Sequence, residues 1–294
     1  MNSVGILQNR LRSFLLYSNS HIPLIAFALV SSTWVVFNLE PSWALAIVAS
    51  SGAFIVYQLD RVWFTSPEDQ INQPERVKWY RDHAAYQQAS IGFCAIIGFV
   101  ALFFLRPATL WMGVLLGGAG MIYLMPYGSQ LVRLKGHWLA KPLFITICWS
   151  VGGVMLPLIE SGERVDGMVW GFLLYRSLLI SSNVLLADLP DKMGDANSNL
   201  DTLAVLLSKR SLMQIIFCLS TLALILGGSQ GFLLDWPALL YIDLAGAVFM
   251  IMMANQAYRN EATDSHFLYG YVNDLIIGWP LVPVALYWLN GMGS

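Results

Sequence analysis

The sequence predicts an all-α, polytopic membrane protein in which nine transmembrane helices form a bundle. Three observations carry this. Of 294 residues, 57% are hydrophobic and only 12% charged, against about a quarter charged in soluble domains, and mean hydropathy is +0.61. Nine apolar runs approach the roughly 20 residues that a spanning helix needs. Lys and Arg fall on one side of the connections between those runs, as they do where short basic loops stay in the cytoplasm.

The chain, 1–294, reads as a single membrane domain. Residues 1–21 are polar, carry Arg10 and Arg12 and lack the short apolar block of a cleaved signal, so they read as a cytoplasmic lead-in. The runs follow as Ile22 to Leu39, Trp43 to Leu59, Ala89 to Leu105, Ala108 to Met125, Leu143 to Ile159, Met168 to Ala187, Leu212 to Gly228, Ala238 to Ala254 and Leu268 to Leu289. Of sixteen Lys and Arg residues, all but Arg106, Arg164 and Arg176 lie in the lead-in or in the connections after the second, fourth, sixth and eighth runs. This asymmetry places the N-terminus in the cytoplasm and the C-terminus on the opposite side.

Two of the cytoplasmic connections, 60–88 and 188–211, are long and hold most of the ionisable groups. Long loops in a compact protein are functional or disordered. A net charge of −2, with no basic tract and no zinc-ligand spacing, argues against a nucleic-acid partner. Cys94, Cys148 and Cys218 lie in apolar runs without C-x-x-C spacing, so no disulfide is expected.

Asp188, Asp191 and Asp195 are spaced three and four apart, which places them along one side of a helical trace. Such a cluster repels itself, and its relief is a cation or a Lys/Arg partner. Oxygen-only donors favour Mg²⁺ or Ca²⁺, and magnesium takes one or two carboxylates together with a substrate's phosphates. A solvated acidic loop that ends a helix has the same pattern.

The second loop continues the pattern as D-x-x-D-x-x-G-D through Asp188, Asp191, Gly194 and Asp195, then Thr202, Leu203, Ala204 and Val205 ahead of the seventh run. With its place after the sixth of nine helices, it resembles the second motif of the UbiA-type intramembrane prenyltransferases. The family's first motif, N-x-x-x-D-x-x-x-D, is matched in part: Asp60 takes the central position, while Val56 stands for the Asn and Phe64 for the last Asp. Ile71, Asn72, Pro74 and Arg76 reproduce the downstream I-N-x-P-x-R. Asp69 precedes Ile71 by two residues, so either an insertion has carried the missing carboxylate to Asp69 or it is absent. Gln58 offers an amide oxygen in place of the Asn. A third family feature, a basic stretch beginning with a tyrosine after the fourth helix, is similar to Tyr123, Tyr127, Arg133, Lys135 and Lys141.

The resemblance implies a bundle around a central cavity opening to the cytoplasmic side. It implies Mg²⁺ held by Asp188, Asp191 and Asp195 with Asp60 across the chamber, and an isoprenoid diphosphate whose tail lies among the helices. The acceptor it implies is small and lipophilic, commonly an aromatic ring such as a quinone or pigment precursor. Asp60, Asp191, Arg133 and Lys135 would then serve catalysis, and Asp69, Arg76, Tyr123 and Lys141 would bind the donor, although the basic groups also suit a purely topological role. Arg176, near mid-depth of the sixth run, and Asn183, seven residues on, are expected as a cavity-facing pair that contacts substrate, the alternative being an interhelical hydrogen bond. Asp274, near the cytoplasmic end of the ninth run beside Asn273, is expected to orient an acceptor or receive its proton. Asp243, toward the outer end of the eighth run, reads as structural or interfacial.

Other activities fit parts of the pattern. A degenerate homologue would bind a lipid diphosphate without turnover, and a cyclase would ionise a prenyl diphosphate without transferring it. A transporter would carry its polar groups near the midplane, whereas here they gather at one membrane face.

Overall fold

The computed structural model describes residues 11–63, 67–125, 137–260 and 265–291. Every regular element among them is helical. Seven helices are long and apolar enough to cross a membrane, or up to nine if two bent pairs each form one span. The first pair is α1 (Leu11–Tyr17) and α2 (His21–Val36), bent by 54°. The corner is Asn19, whose φ of 56° is a left-handed conformation that Asn tolerates better than most residues. The expected lead-in is therefore helical from Leu11.

Ser42 caps α3 (Trp43–Val62) through the Leu45 N–H. Two short helices lie beyond its far end, α4 (Pro67–Asn72) and α5 (Pro74–Asp82), each opened by a proline, which suits a first turn because its missing N–H has no helical partner there. Helices α6 (Ala84–Leu102) and α7 (Pro107–Leu124) follow. The next span joins α8 (Ala140–Ser150), a π-helical stretch Val151–Met155 and α9 (Leu156–Ser161). At the π stretch, a Cβ on Gly153 would stand 2.7 Å from Leu29 Cβ, and the Gly153 carbonyl accepts from Thr33 Oγ1 at 2.7 Å, so glycine there lets α2 press against this wall.

Asp166 caps α10 (Gly167–Ala187) through the Met168 and Val169 N–H groups. Beyond α10 come the short α11 (Lys192–Asn197) and α12 (Leu203–Leu206), then α13 (Lys209–Leu233), a 3₁₀ stretch Ala238–Leu244 and α14 (Ala245–Arg259). The Thr202 to Val205 segment thus forms its own short helix ahead of the seventh span. The second bent pair is a π stretch His266–Val272 running into α15 (Asn273–Ile277), then α16 (Leu281–Leu289) at 42°. Gly278 and Pro280 interrupt what the sequence reads as one run, Leu268 to Leu289, because a proline cannot continue the hydrogen-bond ladder behind it.

Helix α10 is the axis of the bundle: 61% of its apolar window is buried, against 17% for α6. Phe172, Tyr175, Leu179 and Leu186 on α10 share one core with Leu212, Ile216 and Ala223 on α13 and with Met250 and Ala254 on α14. The outer helices instead turn large apolar groups outward, including Phe93, Phe99, Trp111 and Leu115, as suits lipid contact. At the end of the bundle away from the short helices, Glu160 accepts hydrogen bonds from Thr109 Oγ1 at 2.6 Å, the Arg106 N–H at 3.1 Å and Ser42 Oγ at 3.4 Å, tying α3, α7 and α9 together.

Candidate functional site

The ends of α3, α7 and α10 and the starts of α2, α8 and α15 converge on one chamber of about 630 Å³. Its deep wall is apolar, with Ala26, Leu29, Val48, Ala49, Leu116 and Leu156 among its lining. Gly52, Gly117 and Gly152 also line it, and a Cβ at any of them would meet nothing within 4 Å, so these glycines widen the bore. The polar end is built from α4, α11 and Thr202 just ahead of α12, together with α1 and the π stretch at His266. Arg12, Leu16, Tyr17 and Asn19 close one side, and Asn19 Nδ2 donates to the Tyr80 hydroxyl at 3.0 Å.

Asp188, Asp191 and Asp195 all line the polar end, and each has a different partner. Lys141 Nζ meets Asp188 Oδ1 at 2.5 Å. Asp195 is clamped on both oxygens, accepting from Thr202 Oγ1 at 3.1 Å and from Asn72 Nδ2 at 3.5 Å. Asp191 Oδ1 is buried without a hydrogen-bond partner among the described residues, with His266 Nδ1 at 3.6 Å. Burial pushes the Asp195 carboxyl up to about 6, with Asp191 and Asp188 adding repulsion while Lys141 and Thr202 pull the other way. Burial likewise raises Asp188 above the usual carboxylate range despite Lys141.

Asp60, Asp69, Arg76, Tyr123, Lys141, Asn183 and Asp274 also line the chamber. Asp69 Oδ1 accepts from Arg76 Nη2 at 2.7 Å and Arg61 Nη1 at 3.1 Å, and Arg61 Nε lies 3.8 Å from Asp60 Oδ2. Tyr123 stacks on Phe144 with ring centroids 4.4 Å apart. Asn183 exchanges hydrogen bonds with Asn273, Nδ2 to backbone carbonyl in both directions, at 2.5 and 2.9 Å. Arg133 and Lys135 lie outside the described residues.

Arg176 corrects the expectation of a cavity-facing pair. It does not line the chamber. Its guanidinium meets Asp243 at 2.9 and 3.3 Å, donates to Ser32 Oγ at 3.0 Å and lies over the Phe172 and Tyr175 rings. The physical reason is local: the Asp243 carboxylate of the 3₁₀ stretch ahead of α14, the Ser32 hydroxyl of α2 and the Phe172 and Tyr175 rings of α10 itself enclose the charge within the core. Gln58 also departs from expectation, since it lies off the chamber and donates to the Ser18 carbonyl at 2.8 Å, pinning the corner between α1 and α2.

Asn72 and Thr202 belong to stretches that the sequence singles out, yet their joint task is legible only in three dimensions. Asn72 Oδ1 accepts the Gly194 N–H at 2.8 Å while its amide reaches Asp195, so one side chain fastens α4 to α11. A Cβ on Gly194 would collide with that amide. Gly194→Ala is therefore expected to open the clasp, because moving Asn72 aside breaks both hydrogen bonds at about 1 kcal/mol each. Limited proteolysis within 60–88 and 188–211 should accelerate at least tenfold in this variant, and an unchanged cleavage rate would show that the clasp is not needed to hold the loops.

Among the described residues, no three His, Cys, Asp or Glu groups stand close enough to hold a metal alone. Magnesium does not require such a cage, because one or two carboxylates suffice when phosphate oxygens complete its shell. Asp191, with its bare buried oxygen, and Asp195 beside it fit that sparse, all-oxygen arrangement.

Residues 88–273 match the UbiA prenyltransferase family. Solved structures share the fold. A UbiA homolog from Archaeoglobus fulgidus bound to GPP and Mg²⁺ superposes with a TM-score of 0.65 at 10% identity, covering 93% of this chain and 99% of that one. The apo structure of a UbiA homolog from Aeropyrum pernix K1 gives 0.63 at 16% identity, covering 90% and 98%. A structure described as digeranylgeranylglyceryl phosphate synthase gives 0.57 at 16%, covering 94% and 99%. No curated protein sequence matches the chain.

Proposed function

We propose, since the chain belongs to the UbiA prenyltransferase family, that it transfers a prenyl group from an isoprenoid diphosphate to an aromatic acceptor within the membrane, with magnesium as cofactor. The observation that carries this reading is the chamber whose carboxylates, Lys141, Arg61 and Arg76 sit at one end of an apolar bore. A diphosphate with a hydrocarbon tail has that same division of polarity. The Archaeoglobus fulgidus homologues bound to GPP and to DMAPP with Mg²⁺ support this donor class.

Magnesium, when bound, supplies Lewis-acid stabilisation of diphosphate oxygens. Asp191 and Asp195 would hold it, with Asp188 beside them and Asp60 across the chamber. The chain's own side chains do the rest. Thr202 and Asn72 keep Asp195 in place. Lys141 balances Asp188 and stands ready to share its protons with a phosphate, and Arg76 and Arg61 offer fixed donors that take up charge as the diphosphate departs. The apolar bore excludes water from the allylic cation and so favours alkylation over hydrolysis. Following the Lys and Arg asymmetry, the chamber mouth faces the cytoplasm, with nine spans, the N-terminus on the same side and the C-terminus opposite.

The second reading, diphosphate binding without turnover, draws on the first loop. Asp69 already serves two arginines, Val56 replaces an amide, and Phe64 replaces a carboxylate. The deciding experiment is diphosphate release by purified protein in detergent from donors of increasing chain length, with magnesium or chelator, first without acceptor and then with an aromatic pool. Magnesium-dependent release with a prenylated product is the expected result. Magnesium-dependent donor binding with no release would give the second reading the lead, and release with a cyclised product and no transfer would identify a cyclase.

A further inference from the structure

A groove of about 330 Å³, separate from the chamber, runs between α14 and the last bent span. Phe249, Met252 and Gln256 of α14 form part of one wall, and Leu275, Ile276 and Trp279 part of the other. Asp274 and Ile277 of the same short helix line the chamber instead, so α15 stands between the two cavities. At the groove's deep end the Phe249 and Trp279 rings meet edge to face at 5.1 Å, and Trp279 Nε1 donates to the Ile242 carbonyl at 2.8 Å. The lips, Met252 and Leu275, are exposed apolar groups.

The groove has the length and the polarity of one membrane leaflet. Phe249, Met252, Gln256 and Arg259 follow at intervals of three, four and three, which places them on one stripe of α14. A helical side chain leans toward the N-terminus and covers the preceding turn, so Arg259 belongs over the Gln256 end of the groove. From Phe249 to Arg259 the helix rises about 15 Å, half of the roughly 30 Å hydrocarbon core of a bilayer. Exposed Tyr258, next to Arg259, is a residue type enriched at headgroup level. Positive charge gathers at the same end. Lys209 Nζ donates to the Asn260 carbonyl, which holds the start of α13 against the end of α14, and Arg210 and Arg259 are both exposed.

We propose that this groove binds an anionic phospholipid from the leaflet on the chamber-mouth side, with one acyl chain between α14 and α15 and the phosphate at Arg259 and the Gln256 amide. The apolar walls suit the chain. Lys209, Arg210 and Arg259 at the rim favour a net-negative headgroup over a zwitterionic one, whose ammonium they repel. A membrane-spanning helix of a partner fits less well, because it would cross both leaflets whereas the groove stops at Phe249 and Trp279. The bound lipid packs against the back of α15, opposite the face that carries Asp274 and Ile277 into the chamber wall. The site stands apart from the transferase reading and does not depend on it.

The test is native mass spectrometry of the full chain in detergent with dioleoyl phosphatidylglycerol, dioleoyl phosphatidylcholine or glycerol 3-phosphate, read beside the thermal midpoint. Wild type should hold phosphatidylglycerol about fivefold more tightly than phosphatidylcholine, the effect of roughly one basic group at an anionic headgroup. Its midpoint should rise with that lipid, because a ligand of the folded state stabilises it. Arg259→Gln, at an exposed position, should bring the two lipids to near parity. Met252→Trp, which fills the groove, should weaken both lipids, whereas Leu115→Trp on the exposed side of α7 should weaken neither. Equal retention of the two lipids by wild type, or an undiminished preference in Arg259→Gln, would overturn the proposal. Equal loss in the two Trp variants would do the same, since the lipid would then lie elsewhere on the surface. Glycerol 3-phosphate bound as tightly as the lipid would assign the rim to a free phosphate, and a disulfide-linked dimer formed by Met252→Cys but not by wild type would give the groove to a second copy. Either result removes the lipid site.

Discussion

Asp191→Asn is expected to lower magnesium-dependent diphosphate release by about three orders of magnitude while leaving the protein folded and inserted. The three carboxylates of the second loop are not equivalent. Asp188 is neutralised by Lys141 at 2.5 Å, and Asp195 accepts from both Thr202 and Asn72. Asp191 alone of the three keeps a buried oxygen without a hydrogen-bond partner among the described residues. The Asn variant preserves shape and removes the charge, so any loss reports on cation binding and not on packing. Calorimetric titration with magnesium in the presence of inorganic diphosphate gives a readout independent of turnover, and the variant should bind at least tenfold more weakly. Full activity in Asp191→Asn would remove it from the metal site. Asp188→Asn should cost less, because Lys141 would remain to face the diphosphate.

The membrane class was legible because it depends on neighbours in sequence, apolar length deciding a span, and the acidic second loop was legible as a motif, although Asp188 and Asp191 flank a turn between α10 and α11 and so share no continuous helical face. The partners of those residues were not. Asn72 and Gly194 are 122 positions apart, Arg176 and Asp243 are 67 apart, and His21 and Asp274 are 253 apart. No local rule pairs them, because which face of α10 turns toward α14 and which toward the chamber is set by packing of the whole bundle. The seven-residue spacing from Arg176 to Asn183 correctly suggests a similar helical face, yet the two side chains part company: Asn183 reaches α15 and the chamber, whereas Arg176 reaches α2 and Asp243. The break in the last span had a local signal in Gly278 and Pro280, outweighed in the sequence by the continuous apolarity around them. The lead-in shows the opposite case, since its polar residues mask a short helix that contributes Arg12, Leu16 and Tyr17 to the chamber wall.

The relocation of Arg176 predicts a stability effect that is separable from activity. Its guanidinium is held bidentately by Asp243, which also accepts from the Tyr175 hydroxyl at 3.0 Å, and the pair is nearly fully buried. Removing one partner of a buried ion pair strands the other charge and costs about 3–5 kcal/mol, whereas replacing both by apolar groups of similar volume is often neutral. Asp243→Leu should therefore lower the thermal midpoint in detergent by ten degrees or more, and Arg176→Met should do the same by stranding the carboxylate. The double variant Arg176→Met, Asp243→Leu should recover most of that loss, less the hydrogen bond that Tyr175 gives up. Since Arg176 stands off the chamber, the recovered double variant should also release diphosphate at a rate within about threefold of wild type. A double variant as stable as wild type but unable to bind donor would return Arg176 to the substrate site, and additive destabilisation of the two single changes would show that the charges do not act as a pair.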